Sequence, residues 1–193
     1  MRRLCVFCGS SPGARAEYRA AAEAMGVALA RRGIGLVTGG GRVGLMGVVA
    51  DAALAAGGAV IGVIPEALVA WEVAHAGLTE LRVVGSMHER KALMADLSDA
   101  FAALPGGFGT LEEYCEVLTW SQLGLHAKAC GLVNVAGYFD PLLAMFDRAV
   151  AERFLRPEHR ALVLAAPDPE RLIDQLAAYR PPALEKWIDR EDV

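Results

Sequence analysis

Three short runs hold the residue types that chemistry needs. Residues 103–114 read ALPGGFGTLEEY, with Gly106, Gly107 and Gly109 after Pro105 and just ahead of Thr110, Glu112 and Glu113. Glycines before a helix bare backbone N–H groups to an anion, and the helix dipole favours negative charge at that end. Two carboxylates just inside such a helix conflict with that role unless they face something else. A local explanation exists: Thr110 as N-cap, with Glu113 reaching back from N3, fits a capping box. It leaves the three glycines unexplained, because a cap requires no such run.

The second run, Ser86-Met87-His88-Glu89-Arg90-Lys91, opens a helix that Ser86 can cap. His88, Arg90 and Lys91 put positive charge where the dipole is already positive, at a cost of about a few tenths of a kcal/mol each. An anionic ligand relieves that conflict; the plain alternative is a solvated charged face. In the third run, from Thr38 to Gly47, Gly39, Gly41 and Gly44 match G-x-G-x-x-G, and Gly40 and Met46 lie within it. The run follows a strand and opens a helix, as a dinucleotide fingerprint must, and Glu66 stands about 20 residues on, where a ribose-binding acid is sought. Yet this is the second strand, not the first, and close helix–strand packing explains the glycines equally well. The 103–114 loop lacks Gly-Lys-Ser/Thr and is no Walker loop.

Together the runs describe a phosphate-and-sugar pocket. Backbone N–H groups and an arginine hold a phosphoryl group, while a carboxylate faces a centre that becomes positive. A ribosyl oxocarbenium ion is such a centre, and a carboxylate stabilises it or deprotonates the attacking water.

The elements that position these runs alternate along the chain. Strands are expected at 4–8, 34–37, 59–64, 81–84, 101–104, 129–135 and 161–165. Helices are expected at 15–32, 44–56, 88–97, 110–123, 140–154 and 169–179, with 66–79 a loop containing some helix. Several strands are apolar throughout, as when helices cover both faces of a parallel sheet. The fold class is therefore α/β: a doubly wound, mostly parallel sheet with helices on both faces, in a single domain over 1–180 with a charged tail over 181–193. Ligands of such sheets lie beyond the carboxyl ends of the strands, where both glycine loops fall.

The 193 residues are 54% apolar and 22% charged, which suits one compact globule. A net charge of −4 gives no general attraction to nucleic acid or an anionic membrane. No run approaches the roughly 20 apolar residues of a membrane span. The apolar run at 4–8 is too short for a signal peptide, so the cytoplasm is expected. Of four cysteines, Cys5 and Cys8 form C-x-x-C, but nothing completes a zinc set, and they read as small buried strand residues.

At these residues the chain resembles the LOG family, the cytokinin riboside 5′-monophosphate phosphoribohydrolases once mislabelled "lysine decarboxylases". Pro105, Gly106, Gly107, Gly109, Thr110 and Glu113 meet the signature Pro-Gly-Gly-x-Gly-Thr-x-x-Glu, and Met87, His88, Arg90 and Lys91 meet Met-His-x-Arg-Lys. Cys8-Gly9-Ser10-Ser11, the 39–47 loop and residues 119–124 extend the likeness. The resemblance implies a Rossmann-like homodimer that hydrolyses the N-glycosidic bond of a nucleoside 5′-monophosphate, with the pocket at or near the interface. It implies Arg90 and Glu113 as the essential pair. Nucleotide contacts map onto Glu72, Arg90, Lys91, the segment from Gly107 through Gly109, Thr110 and Glu112 to Glu113, and Thr119. Gly9, Ser10, Gly40, Gly41, Gly44, Met46 and Gly106 join them as candidate substrate contacts. No cofactor, metal, nucleic acid or membrane is expected. Ala129 stands where members commonly have proline after the lysine here at Lys128.

Three other readings differ in what they require. A non-catalytic nucleotide carrier or sensor would use the same glycine loops and tolerate loss of Glu113. A lysine decarboxylase would need a Schiff-base lysine, for which Lys91, Lys128 and Lys186 are candidates. An NAD-dependent oxidoreductase would rest on the 39–44 glycines alone.

Overall fold

The computed structural model describes residues 1–69 and 74–182. Strands β1 (Arg3–Phe7), β2 (Gly35–Thr38), β3 (Val60–Pro65), β4 (Glu80–Val84), β5 (Ala100–Ala103), β6 (Ala129–Val133) and β7 (Val163–Ala166) form one sheet in the order β4-β3-β2-β1-β5-β6-β7. Every neighbouring pair is parallel. The connections carry α1 (Ala16–Arg31), α2 (Gly44–Ala55), α3 (Glu66–Val69), α4 (Met87–Leu97), α5 (Phe108–Gln122), α6 (Asp140–Ala151), α7 (Pro157–Arg160) and α8 (Pro169–Ala178).

The central strands are buried on both faces, and their alternating side chains feed two cores. Leu4, Val6 and Cys8 pack with Ala100 and Ala102 against apolar residues of α1, α2 and α8. Cys5, Phe7, Phe101 and Ala103 pack on the other face with residues of α4 and α5. This double coverage is why the strands read as continuous apolar runs rather than alternating ones. The chain winds outward from β1 to β4, then crosses to β5 and winds the other way. β1 and β5 therefore flank the switch point, and the crevice beyond their carboxyl ends is where such sheets bind ligands.

All the expected strands are present, with ends within two residues of expectation. Pro65 is the last residue of β3, in register with Val84. The strand expected at 129–135 ends at Val133, because the Asn134 side chain accepts from the Phe139 N–H (2.7 Å) and donates to Asp140 (2.6 Å), turning the chain. The helix expected to reach 154 ends at Ala151. Arg153 there takes a left-handed conformation (φ 65°), the geometry that closes a helix C-terminus. The short helix α7 has no counterpart among the expected elements. Glu72, Lys186 and most of the expected tail lie outside the described residues. Among the described residues, no helix is long and apolar enough to cross a membrane.

Candidate active site

The β5–α5 loop differs from the capping-box expectation. Gly107, not Thr110, is the N-cap of α5, and it has no side-chain cap; the helix begins at Phe108. Thr110 instead turns its buried side chain onto Gly106, where a Cβ would overlap its hydroxyl. The first turn of α5 consequently holds no acidic residue. Its first intrahelical bond runs from the Leu111 N–H to the Gly107 carbonyl (3.1 Å), so the N–H groups before it have no intrahelical partner. Glu112 and Glu113 stand beyond that turn. The apparent conflict between anion-binding glycines and carboxylates is thus resolved by distance along the helix.

Neighbouring loops lock this turn in place. The Gly9 N–H donates to the Pro105 carbonyl (3.0 Å), and the Gly9 carbonyl accepts from the Leu45 N–H (2.9 Å) at the start of α2. Gly44 is left-handed (φ +59°), and a Cβ there would overlap the Ser10–Ser11 peptide. Both conformation and space therefore require glycine at that position. The Tyr138 hydroxyl donates to the Gly106 carbonyl (2.6 Å). Backbone from β1, β5 and α2 meets within one small volume.

Arg90 and Lys91 arrive on α4. Ser86 caps this helix by accepting from the Glu89 N–H (3.1 Å). The Glu89 carboxylate accepts from the Gly85 N–H (2.8 Å), so the capping serine has support close to that of a capping box. Arg90 is 5% exposed; its Nη2 donates to the Gly39 carbonyl (3.3 Å) and its Nη1 to Met87 Sδ (3.7 Å). Lys91 Nζ donates to Glu112 (2.6 Å) and Glu116 (3.0 Å) on α5. Partial burial pulls the Lys91 ammonium down, but those two carboxylates outweigh it and hold its pKa above the usual value.

The consequence is a cleft of about 260 Å³ lined by Gly9, Ser10, Met46, Arg90, Gly107, Gly109, Thr110, Glu112 and Glu113, together with Cys8, Leu68, Met87 and Phe108. A second cavity, of about 290 Å³, opens on the same rim of Gly9, Ser10 and Gly107 and contains Gly106, Tyr18 and Tyr138. The charged pair is felt by one buried strand. Burial chiefly, and then the Glu113 carboxylate, push the Cys5 and Cys8 thiols well up, whereas Arg90 draws Cys5 down. Both thiols are inert: Cys8 lines the cleft and Cys5 lies in the core behind it. Among the described residues, no group of three His, Cys, Asp or Glu could hold a metal.

Several expected contacts lie elsewhere. Gly40 and Gly41 shape the cleft's support rather than its lining: the Gly40 carbonyl accepts from the His75 N–H (2.9 Å), and Gly41 bridges to Ala74. Gly44 acts through Ser10. Lys91 ties α4 to α5. Thr119 donates to the Cys115 carbonyl (2.8 Å) and lines a separate apolar cavity of about 220 Å³ with Phe146, Phe154 and His159. Of the cleft's other walls, Met87 and Phe108 fall inside the motifs, whereas Leu68 comes from the irregular 66–79 region, where no pattern marks it. Lys128 donates to the Ala95 carbonyl (2.8 Å), away from the cleft.

Residues 46–176 match the family model described as "Possible lysine decarboxylase". A protein of Oryza sativa subsp. japonica, named a "probable cytokinin riboside 5′-monophosphate phosphoribohydrolase", is 57% identical over 180 residues, covering 93% of this chain and 79% of its own length. An Arabidopsis thaliana protein named as a cytokinin riboside 5′-monophosphate phosphoribohydrolase is 50% identical over 180 residues, 93% of this chain and 84% of the relative. Among solved structures, the molybdenum cofactor carrier protein of Chlamydomonas reinhardtii superposes with a TM-score of 0.70 at 23% identity, over 92% of this chain and 98% of that one. At that identity the likeness is one of fold.

Proposed function

The chain belongs to the LOG family of cytokinin riboside 5′-monophosphate phosphoribohydrolases, and from that membership and the cleft's chemistry we propose that it hydrolyses the N-glycosidic bond of a nucleoside 5′-monophosphate. The substrate is AMP or a cytokinin riboside 5′-monophosphate, and the products are the free base and ribose 5-phosphate. The observation that carries this reading is the convergence of Arg90, Glu113 and the first turn of α5 on one cleft.

The division of labour follows from position along α5. The 5′-phosphate sits against the backbone N–H groups of the first turn, where the dipole and the Arg90 guanidinium both favour it. Glu113 lies beyond that turn, its Cα about 9 Å along the axis from the N-cap Gly107 at about 1.5 Å per residue. That distance leaves room for the sugar between phosphate and carboxylate. As the bond from C1′ to the base nitrogen breaks, positive charge grows on the ribose, and Glu113 stabilises it and takes the proton of the water that attacks C1′. The base leaves with the bonding electron pair and is reprotonated.

Two chains complete the site in this reading. Phe108, at the mouth of the cleft, is 93% exposed, and Leu125, Met145 and Phe154 are 70%, 61% and 84% exposed. Such a set of apolar groups suits a second copy. A homodimer with the pocket near its interface is the arrangement they support.

The phosphate half of the reading is tested with adenosine beside AMP. Chromatography should show adenine released from AMP, or the corresponding modified base from a base-modified analogue, with nucleosides left intact. Equal hydrolysis of nucleoside and nucleotide would remove the phosphate seat from the account.

A further inference from the structure

We propose that Gly39 is a positioning residue for Arg90: the side chain it lacks is the space in which the guanidinium lies. The inference rests on the role given to Arg90 above. Gly39 follows directly on Thr38, the last residue of β2, and is buried. A Cβ built on it would overlap Arg90 Nη2 and stand 3.0 Å from Cζ and 3.5 Å from Nε. The same guanidinium donates to the Gly39 carbonyl, so the residue both makes room for Arg90 and anchors it.

The backbone does not demand glycine here. Gly40 and Gly44 are left-handed, with φ of 81° and 59°, whereas Gly39 is not among the left-handed positions. Alanine can therefore adopt the Gly39 conformation without the strain it would meet at its neighbours. What it cannot do is share the volume with Arg90. That volume is filled by the far end of a long side chain rather than by backbone, so a methyl group displaces the guanidinium at little cost to the fold. The displacement is costly only to chemistry, because a misplacement of about 1 Å can lower turnover by about 10²-fold. A glycine that looks like one letter of a dinucleotide fingerprint is, on this account, part of the arginine's mount.

The test is a double-mutant cycle. kcat and KM for AMP or a base-modified adenylate, whichever the wild type turns over faster, and melting temperature are measured for wild type, Gly39→Ala, Arg90→Lys and the double variant. Gly39→Ala should lose at least about tenfold in kcat/KM, with a melting temperature within about 3 °C of wild type. Lysine has no Nη2 for the methyl to meet, so adding Gly39→Ala to Arg90→Lys should cost less than about twofold more. Wild-type activity in Gly39→Ala, or its full loss repeated on top of Arg90→Lys, would overturn the inference. So would a Gly39→Ala chain that fails to fold, since the collision would then fall on backbone. A wild-type chain that releases no base from AMP or from any base-modified adenylate would instead remove the proposed reaction.

Discussion

Arg90 and Glu113 carry the account at the level of single residues, and what makes each legible in the sequence differs. Arg90 is marked by its conflict with the positive end of α4. That end faces the cleft, with the guanidinium buried and aimed at Gly39. Replacing Arg90 by alanine should lower kcat/KM by roughly 10²–10³-fold, as for loss of a charge-stabilising group, while circular dichroism stays unchanged. A loss below about tenfold, worth only about 1.4 kcal/mol, would show that the guanidinium is not part of the machinery. Thr110 shows how a motif misleads. The spacing Thr-x-x-Glu fits a capping box, but the helix begins at Phe108, ahead of the threonine, whose buried side chain packs on Gly106 at the edge of the cleft. A neighbour's missing Cβ overrules the local motif chemistry.

Among elements, the relation of α4 to α5 sets the relation of Arg90 to Glu113, and Lys91 links the two helices through Glu112 and Glu116. Lys91 therefore acts as a strut, a role its motif does not reveal. The lysine side chain is 12% exposed, against 54% and 26% for its partners, so the pair energies are those of partly screened bridges. Lys91→Ala should cost about 1 kcal/mol, lowering the melting temperature by about 2–4 °C for a domain of this size, with a rise in KM larger than the fall in kcat. No shift in either melting temperature or KM would deny the strut. Strand and helix order is readable because buried parallel strands and alanine-rich helices each leave a period in the sequence. Ends are less so: Asn134 and Arg153 terminate their elements through side-chain bonds and a left-handed residue, neither of which a pattern of apolar spacing contains.

For the whole molecule, the sheet's switch point decides where the site can be. The order β4-β3-β2-β1-β5-β6-β7 places the loops after β1 and β5 side by side, so motifs distant in sequence share one crevice. Alternation of elements implies that crevice, but not which loops fill it. Gly40 and Gly41 brace the adjoining 74–75 segment, because the fingerprint glycines follow β2, one strand away from the switch point. The exposed apolar groups around α6 and the ends of α5 belong to this scale as well. Sedimentation equilibrium should give a mass near twice the 20.4 kDa of one chain. Replacing both Met145 and Phe154 by aspartate should halve it, and a wild-type monomer at micromolar concentration would contradict the shared-interface arrangement.

The most direct test of the central claim is the rate of ribose 5-phosphate formation from AMP, or from an adenylate bearing a modified base, by wild type and by Glu113→Gln. The substitution keeps the shape of the side chain and removes its charge. Wild type should release equal amounts of base and ribose 5-phosphate, and kcat of the variant should fall by at least about 10²-fold. A Glu113→Gln protein that turns over as fast as wild type would contradict that claim.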